Sequence, residues 1–197
     1  MTDQPNNQEL RERLELIENM LLAGRRKTES WGWTFLLWGV AYYVAIAVNH
    51  FTHSRWSWPA TMIAAGIITF VLSRIRHSQP GTSMSRIICA VWIALGISMF
   101  LLFMSMAINH MLGSRIFWAI ACTLLGMANG ISGITLKWKV QIACAVVWWA
   151  ASAAVCFSDA QQGFVEFLFA IFFCQIVFGI YAMICDSRRR RTGNAHA

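Results

Sequence analysis

The chain has 197 residues, of which 57% are hydrophobic and 13% are charged, and its formal net charge is +7. Ordinary soluble domains carry about 25% charged residues, so this composition excludes a soluble globular fold and predicts that lipid surrounds most of the chain. The basic residues lie between and beside apolar segments, which argues against a nucleic-acid-binding domain and favours a role in membrane orientation.

Residues 1–30 are polar and contain five Glu, so they lack the basic start and apolar core of a signal peptide. Within residues 8–24, four apolar side chains recur at the spacing of one helical face. They are Leu10, Leu14, Ile17 and Leu21. We therefore predict a cytoplasmic amphipathic arm whose helix ends at Gly24, where glycine suits a helix terminus.

The apolar face of this arm needs a partner, because four exposed aliphatic side chains on one helix face are costly in water. We expect it to bind a cytoplasmic protein or a second copy of the chain. A helix that lies on the inner leaflet, or folds back on its own bundle, is the alternative. The polar face mixes Glu with Arg, whereas membrane-surface helices usually have a basic polar face.

Six continuous apolar segments follow, each near the length of about 20 residues that a helix needs to cross the hydrocarbon core. Uninterrupted apolar runs predict helices, which satisfy their own backbone groups in lipid. The segments are 33–49, 58–73, 87–108, 116–136, 140–157 and 164–185. We predict an all-α fold, a polytopic bundle of about six transmembrane helices in residues 31–186, with a basic cytoplasmic tail at 187–197.

The distribution of Lys and Arg predicts the orientation of the bundle. With the amino terminus inside, 14 of the 16 basic residues lie on the inner side, and only Arg55 and Arg115 lie outside. The positive-inside rule then predicts a multi-pass protein of the cytoplasmic (inner) membrane with both termini in the cytoplasm. Trp58 and Trp118 are expected at the outer interface, where the indole ring prefers headgroup depth.

Residues 47–66 recur as residues 107–126, with seven identical positions. The shared residues are Ala47, Asn49, His50, Ser54, Arg55, Trp58 and Gly66, which match Ala107, Asn109, His110, Ser114, Arg115, Trp118 and Gly126. We interpret residues 31–74 and 86–136 as duplicated hairpins, with a third hairpin at 139–185. Both copies have the same orientation, unlike the inverted repeats of many secondary transporters.

The outer turns hold the candidate residues for a ligand or proton site: His50, Arg55, His110, Arg115 and Glu166. An ionisable residue inside a span is by default a functional hypothesis, and Glu166 is the one acidic residue inside a predicted span. Because Glu166 lies about one turn from the outer end of its span, an interfacial, solvated carboxylate is the favoured alternative. Helix capping explains the repeated polar residues without a ligand and is the favoured interpretation, since Asn49 and Asn109 suit helix ends and Ser54 and Ser114 suit helix starts.

No motif in the sequence predicts a catalytic, cofactor or metal site. No span is visibly broken, and none places a nucleophile beside a base at one depth. We therefore expect a non-enzymatic membrane anchor, scaffold or sensor that uses the arm. The alternative is a transporter or pore for a small solute or ion that uses the outer turns and Glu166.

Overall fold

A computed structural model describes residues 7–52, 56–76, 83–111 and 114–194 of the chain. This part of the chain is almost entirely helical and contains no strand, which confirms the all-α prediction. The helices are α1 (Asn7–Ser30), α2 (Gly32–Thr52), α3 (Ser57–Arg76), α4 (Ser83–Ile108), α5 (Arg115–Thr135), α6 (Lys139–Phe157), α7 (Ala160–Ile171) and α8 (Phe178–Asn194). A π-helical segment, Phe172–Val177, joins α7 to α8.

Six helices within the described residues are long and apolar enough to cross a membrane. Five of them are α2 to α6, and the sixth runs without a break from α7 through the π segment into α8, over Ala160–Arg191. These six coincide with the six predicted apolar segments, because the length of an apolar run sets the length of a spanning helix. The chain is thus a multi-pass membrane protein.

Helix α1 extends six residues beyond its predicted end. The prediction that the helix ends at Gly24 is wrong, since α1 continues to Ser30. Glycine is present at this position for close packing instead. A Cβ atom on Gly24 would lie 2.9 Å from Cδ2 of Leu136 and 3.0 Å from Cγ of Met84.

Side-chain caps define the start of two helices. The Ser114 hydroxyl accepts a hydrogen bond from the backbone N–H of Phe117, which confirms the predicted cap of α5. The Asp159 carboxylate caps α7 in the same way, accepting from the N–H groups of Gln161 and Gln162. Asn109 donates its side-chain N–H to the Ser105 carbonyl, 2.8 Å away in the last turn of α4.

Helix α5 is the most buried of the six spans. Glycine residues on its face let α6 approach closely: a Cβ on Gly126 would lie 2.5 Å from Cδ1 of Trp149, and one on Gly133 would lie 2.8 Å from the backbone N of Ile142. Position 126 therefore meets position 149, and position 133 meets position 142, so the two helices run antiparallel. Small residues give this close packing, as they commonly do in membrane bundles.

Aromatic side chains from all six spans fill one half of the bundle. Tyr42 of α2 meets Phe103 of α4 and Phe167 of α7, with ring centroids 6.3 and 5.9 Å apart. Trp58 and Trp118 lie 5.8 Å apart in the same cluster and are only 3% and 4% exposed. Aromatic partners on neighbouring helices enclose both rings. Trp58 and Trp118 stand near the starts of α3 and α5, and their depth at the outer membrane interface stays a prediction.

The two stretches that match in sequence have different surroundings. Gly126 packs on Trp149, whereas a Cβ on Gly66 would meet nothing within 4 Å. His50 lies within α2, while His110 follows the end of α4 with a positive φ of 56°. The internal duplication remains a prediction from the sequence.

Candidate functional site

Helix α1 crosses one end of the bundle, which we call the basic end. The basic end consists of the start of α4, the α5–α6 turn and the last turns of α8. The Arg25 guanidinium lies 5.4 Å from the ring centroid of Trp138 in the α5–α6 turn. Gly24 reaches Met84 of α4, and Glu29 reaches Arg189 of α8. Residues 24–29 therefore run over the basic end from the α4 side to the α8 side.

A buried carboxylate holds α1 in this position. Glu29 is 3% exposed, and its Oε1 accepts a hydrogen bond of 3.0 Å from Nε of Arg25 one turn earlier. Its other oxygen, Oε2, forms an ion pair with a terminal nitrogen of Arg189. A carboxylate removed from water is stable only when it is paired, so this cluster is a polar connection between α1 and α8.

The first part of α1 carries the predicted partner-binding residues. Leu10, Leu14 and Ile17 are 48%, 58% and 54% exposed, and Leu21 is half-buried. A helix turns about 100° per residue, so these four side chains share the face that carries Gly24 and Thr28. Both of those residues are buried against the bundle. An occupant of the apolar stripe therefore also meets the basic end.

The far end of the bundle holds the outer-turn candidates. His50, His110 and Arg115 are exposed, and Arg55 lies outside the described residues. Glu166 is half-buried, and its Oε1 accepts a 2.7 Å hydrogen bond from the Ser158 hydroxyl. An open depression of about 480 Å³ lies beside it, lined by Asp159, Gln161, Gln162, Val165 and Glu166.

These turn residues do not assemble into a metal site within the described chain, where no three His, Cys, Asp or Glu side chains are placed to hold an ion. The histidines thus lie on the surface, and Glu166 has a local hydrogen-bond partner in Ser158. Their role as a ligand or proton site remains a hypothesis.

Uncharged polar side chains on α5, α6 and the π segment are buried. Asn129, Ser132, Gln141 and Gln175 are each at most 2% exposed. Each has at least one side-chain oxygen without a hydrogen-bond partner among the described residues, and Gln141 has neither of its two polar atoms bonded. Buried polar atoms without partners cost free energy, and π segments in helices often mark functional sites.

Contacts along the helices place three of these groups, Ser132, Gln141 and Gln175, at similar depths. Gly133 meets Gln141 and Ile142, which places Ser132 near the level of Gln141. The Cys174 thiol donates to the Cys144 carbonyl at 3.5 Å, which places Gln175 within about one turn of that level.

Two of these features could not be recognised from the sequence. Glu29 stands in a polar segment and resembles any surface Glu until Arg189, 160 positions later, is known to contact it. The π segment could not be predicted, because Phe172–Val177 continues the apolar run 164–185 and its one polar residue, Gln175, does not indicate a change of helix type. Gln141 and Gln175 are visible in the sequence as polar residues within apolar runs, a pattern that suits hydrogen bonds between helices.

Comparison with known proteins adds no further assignment: no protein-family model, no curated protein and no solved structure matches the chain.

Proposed function

We propose that this protein is a non-enzymatic anchor or sensor of the cytoplasmic membrane, and that α1 binds a helix of a cytoplasmic protein. The observation that carries the proposal is the division of α1 into two parts. Residues 21–30 are fastened to the bundle through Gly24 and Glu29, whereas Leu10, Leu14 and Ile17 remain exposed on the same continuous helix. A bound protein would thus be coupled mechanically to the spans.

A helical protein partner is favoured by the pattern around the stripe. The spacing of four, three and four residues between Leu10, Leu14, Ile17 and Leu21 is the seam of a helix that packs on another helix. Arg11, Arg13 and Glu18 flank this seam, and such mixed charges suit salt bridges with a protein better than contact with anionic lipid.

The orientation in this proposal puts both termini in the cytoplasm and follows the positive-inside rule. Three successive hairpins, 31–74, 86–136 and 139–185, then expose only short turns on the outer side. The basic end, with α1 across it, becomes the cytoplasmic face, where a soluble partner can reach the stripe.

Substituting Leu14 with aspartate is expected to abolish co-purification of the partner from native membranes. Burial of one leucine stabilises a complex by about 1.5–3 kcal/mol, so affinity should fall at least about tenfold. Ile17→Asp should act in the same way. The matched control is Leu16→Asp, because Leu16 is equally exposed, at 59%, but lies off the stripe. Partner recovery is measured by quantitative mass spectrometry at equal membrane expression.

A photoreactive amino acid placed at Leu14, with Glu12 on the opposite face as control, identifies what covers the stripe. A cytoplasmic protein adduct from position 14 alone supports the proposal. Adducts only to lipid, or only to a second copy of the chain, would overturn it. The proposal would also be contradicted if the Leu14→Asp and Ile17→Asp variants recovered the partner at the wild-type level.

A second candidate function is the passage of a small solute or ion. It is favoured by the buried side-chain amides of Asn129, Gln141 and Gln175. Their unpartnered atoms are mainly oxygens, which are the ligands that monovalent cations take in membrane proteins. Glu166 lies in the far half of the same span as Gln175, beside the open depression. In this candidate function the spans of the bundle, and not α1, carry the activity.

For that candidate, Gln141→Leu should reduce uptake of sodium or rubidium ions into proteoliposomes by at least about tenfold, since it removes two buried polar atoms. Glu166→Gln should also lower uptake. Exposed Gln161→Leu serves as the control and should retain wild-type flux. Uptake by the wild-type protein no faster than by empty liposomes would eliminate cation passage.

A further inference from the structure

The charged side chains on the exposed part of α1 are sorted around the apolar stripe. A helix turns about 100° per residue, so Arg11, Arg13 and Glu18 lie within about 90° of the centre of the stripe. Glu12 and Glu15 lie farther round, on the side of the helix that faces away from the stripe. All five side chains are exposed. The edges of the stripe thus carry two positive charges and one negative charge.

The two arginines border the stripe from opposite sides, beside Leu10 and Leu14. The Arg11 side chain makes no ion pair or hydrogen bond within the described part of the chain. Arg13 pairs with Glu9, but these side chains are 71% and 52% exposed. Such an exposed pair contributes little, so Arg13 can exchange Glu9 for another carboxylate. A helix that packs on the stripe therefore passes between two accessible guanidinium groups.

Charge complementarity then sets the kind of helix that fits. When two helices pack along an apolar seam, the residues that border one seam lie beside those that border the other, and their charges determine partner choice. Opposite signs attract across such an interface, and like signs exclude wrong partners. Arg11 and Arg13 call for carboxylates, whereas Glu18 calls for a neutral or basic neighbour. A helix can present such different charges along its length, but an anionic lipid surface is negative throughout.

We propose that the partner of α1 is an amphipathic helix whose apolar seam is bordered on both edges by Asp or Glu where it passes Leu10 and Leu14. This inference rests on the proposed protein-binding function of α1 and adds the charge of the partner to it. The partner's seam packs on the stripe, and its carboxylates pair with Arg11 and Arg13. Pairs of this kind govern specificity and the rate of association more than they raise affinity.

The test uses two amphipathic probe peptides of about three heptads, which share one leucine seam. The edges of the seam carry Glu in one peptide and Lys in the other. Binding to the full-length protein in nanodiscs of neutral lipid is measured at low salt by fluorescence anisotropy. The Glu-edged peptide is expected to bind about fivefold more tightly, because it gains two attractive contacts and meets one repulsive contact. In about 1 M salt the preference should fall below about twofold, because the charges are then screened.

The variant that carries both Arg11→Gln and Arg13→Gln should lose this preference. The Lys-edged peptide should then bind at least as tightly as the other, since Glu18 is the charge left at the edges of the stripe. Asn19→Asp is the matched control, because each of the three substitutions lowers the net charge by one but position 19 lies opposite the stripe. The control should preserve the preference to within about twofold.

The outcomes separate this inference from the function on which it rests. If both peptides bind equally and Leu14→Asp abolishes both interactions, the stripe binds helices regardless of charge, which overturns the inference and leaves the proposed function standing. If neither peptide binds, the inference is also overturned, while the cross-link from position 14 in native membranes still decides the proposed function. The partner segment that is cross-linked there should carry Asp or Glu beside its apolar seam. Lys or Arg in those places would overturn the inference, as would adducts only to lipid or only to a second copy of the chain.

Discussion

Replacing Gly32 with valine is expected to lower the free energy of unfolding by about 3 kcal/mol. This is near the upper end of the range for overpacking a closely packed site. A Cβ on Gly32 would lie 2.8 Å from the Gly179 carbonyl oxygen and 2.9 Å from the backbone N of Met183. These are backbone atoms of α8, so the contact can be relieved only if the two helices separate. Thermal unfolding in detergent, followed by tryptophan fluorescence, measures the loss.

The control for this change is Gly66→Val, because a Cβ on Gly66 would meet nothing within 4 Å. It should leave stability within about 0.5 kcal/mol of the wild type, as expected for an open position. The reciprocal change, Gly179→Val, should behave like Gly32→Val, since its Cβ would lie 2.8 Å from the backbone N of Leu36. Equal melting temperatures for Gly32→Val and Gly66→Val would contradict the close approach of α2 and α8.

Replacing Glu29 with glutamine is expected to release the carboxyl-terminal third of α1 from the bundle. Breaking a buried ion pair costs about 3–5 kcal/mol, and partial exposure of both arginines reduces this to about 1–3 kcal/mol. The backbone amides of residues 24–30 should exchange hydrogen with solvent roughly 5- to 100-fold faster, and the peptide bonds after Arg25 and Arg26 should become sensitive to trypsin.

Glu9→Gln is the matched control for Glu29→Gln. Glu9 also pairs with an arginine four residues away, Arg13, at 2.5 Å, but the two side chains are 52% and 71% exposed. Such a pair contributes about 0.3–0.5 kcal/mol, so its loss should leave the exchange of residues 24–30 unchanged. If Glu29→Gln also left that exchange unchanged, the buried cluster would not be what holds α1.

The positions of the helices could be predicted from the sequence because they depend on local properties. A run of about 20 apolar residues must form a helix in lipid, and its length sets where the helix begins and ends. The caps at Ser114 and Asp159 are local in the same sense, since each side chain bonds backbone groups two or three residues away. The apolar stripe of α1 is also a local property, because it follows from the spacing of apolar residues along one helix.

The surroundings of individual residues could not be predicted in this way. The sequence marks Trp58 and Trp118 as tryptophans near the ends of spans, but only the structure shows that rings from other spans enclose them. Gly24 has the signal of a helix end, yet α1 continues to Ser30 and Gly24 lies against Met84 and Leu136. In both cases the surroundings depend on contacts between distant parts of the chain.

The sequence by itself determined that this chain forms an all-helical, multi-pass bundle. It also predicted that a charged helix with the apolar stripe precedes this bundle. Only the tertiary structure decided that α1 crosses the basic end, that Glu29 meets Arg25 and Arg189, and that Asn129, Ser132, Gln141 and Gln175 are buried with unpartnered polar atoms. The physical reason is the range of the forces involved. Hydrophobic transfer and helix periodicity act within one segment, whereas ion pairing and close packing depend on which segments become neighbours.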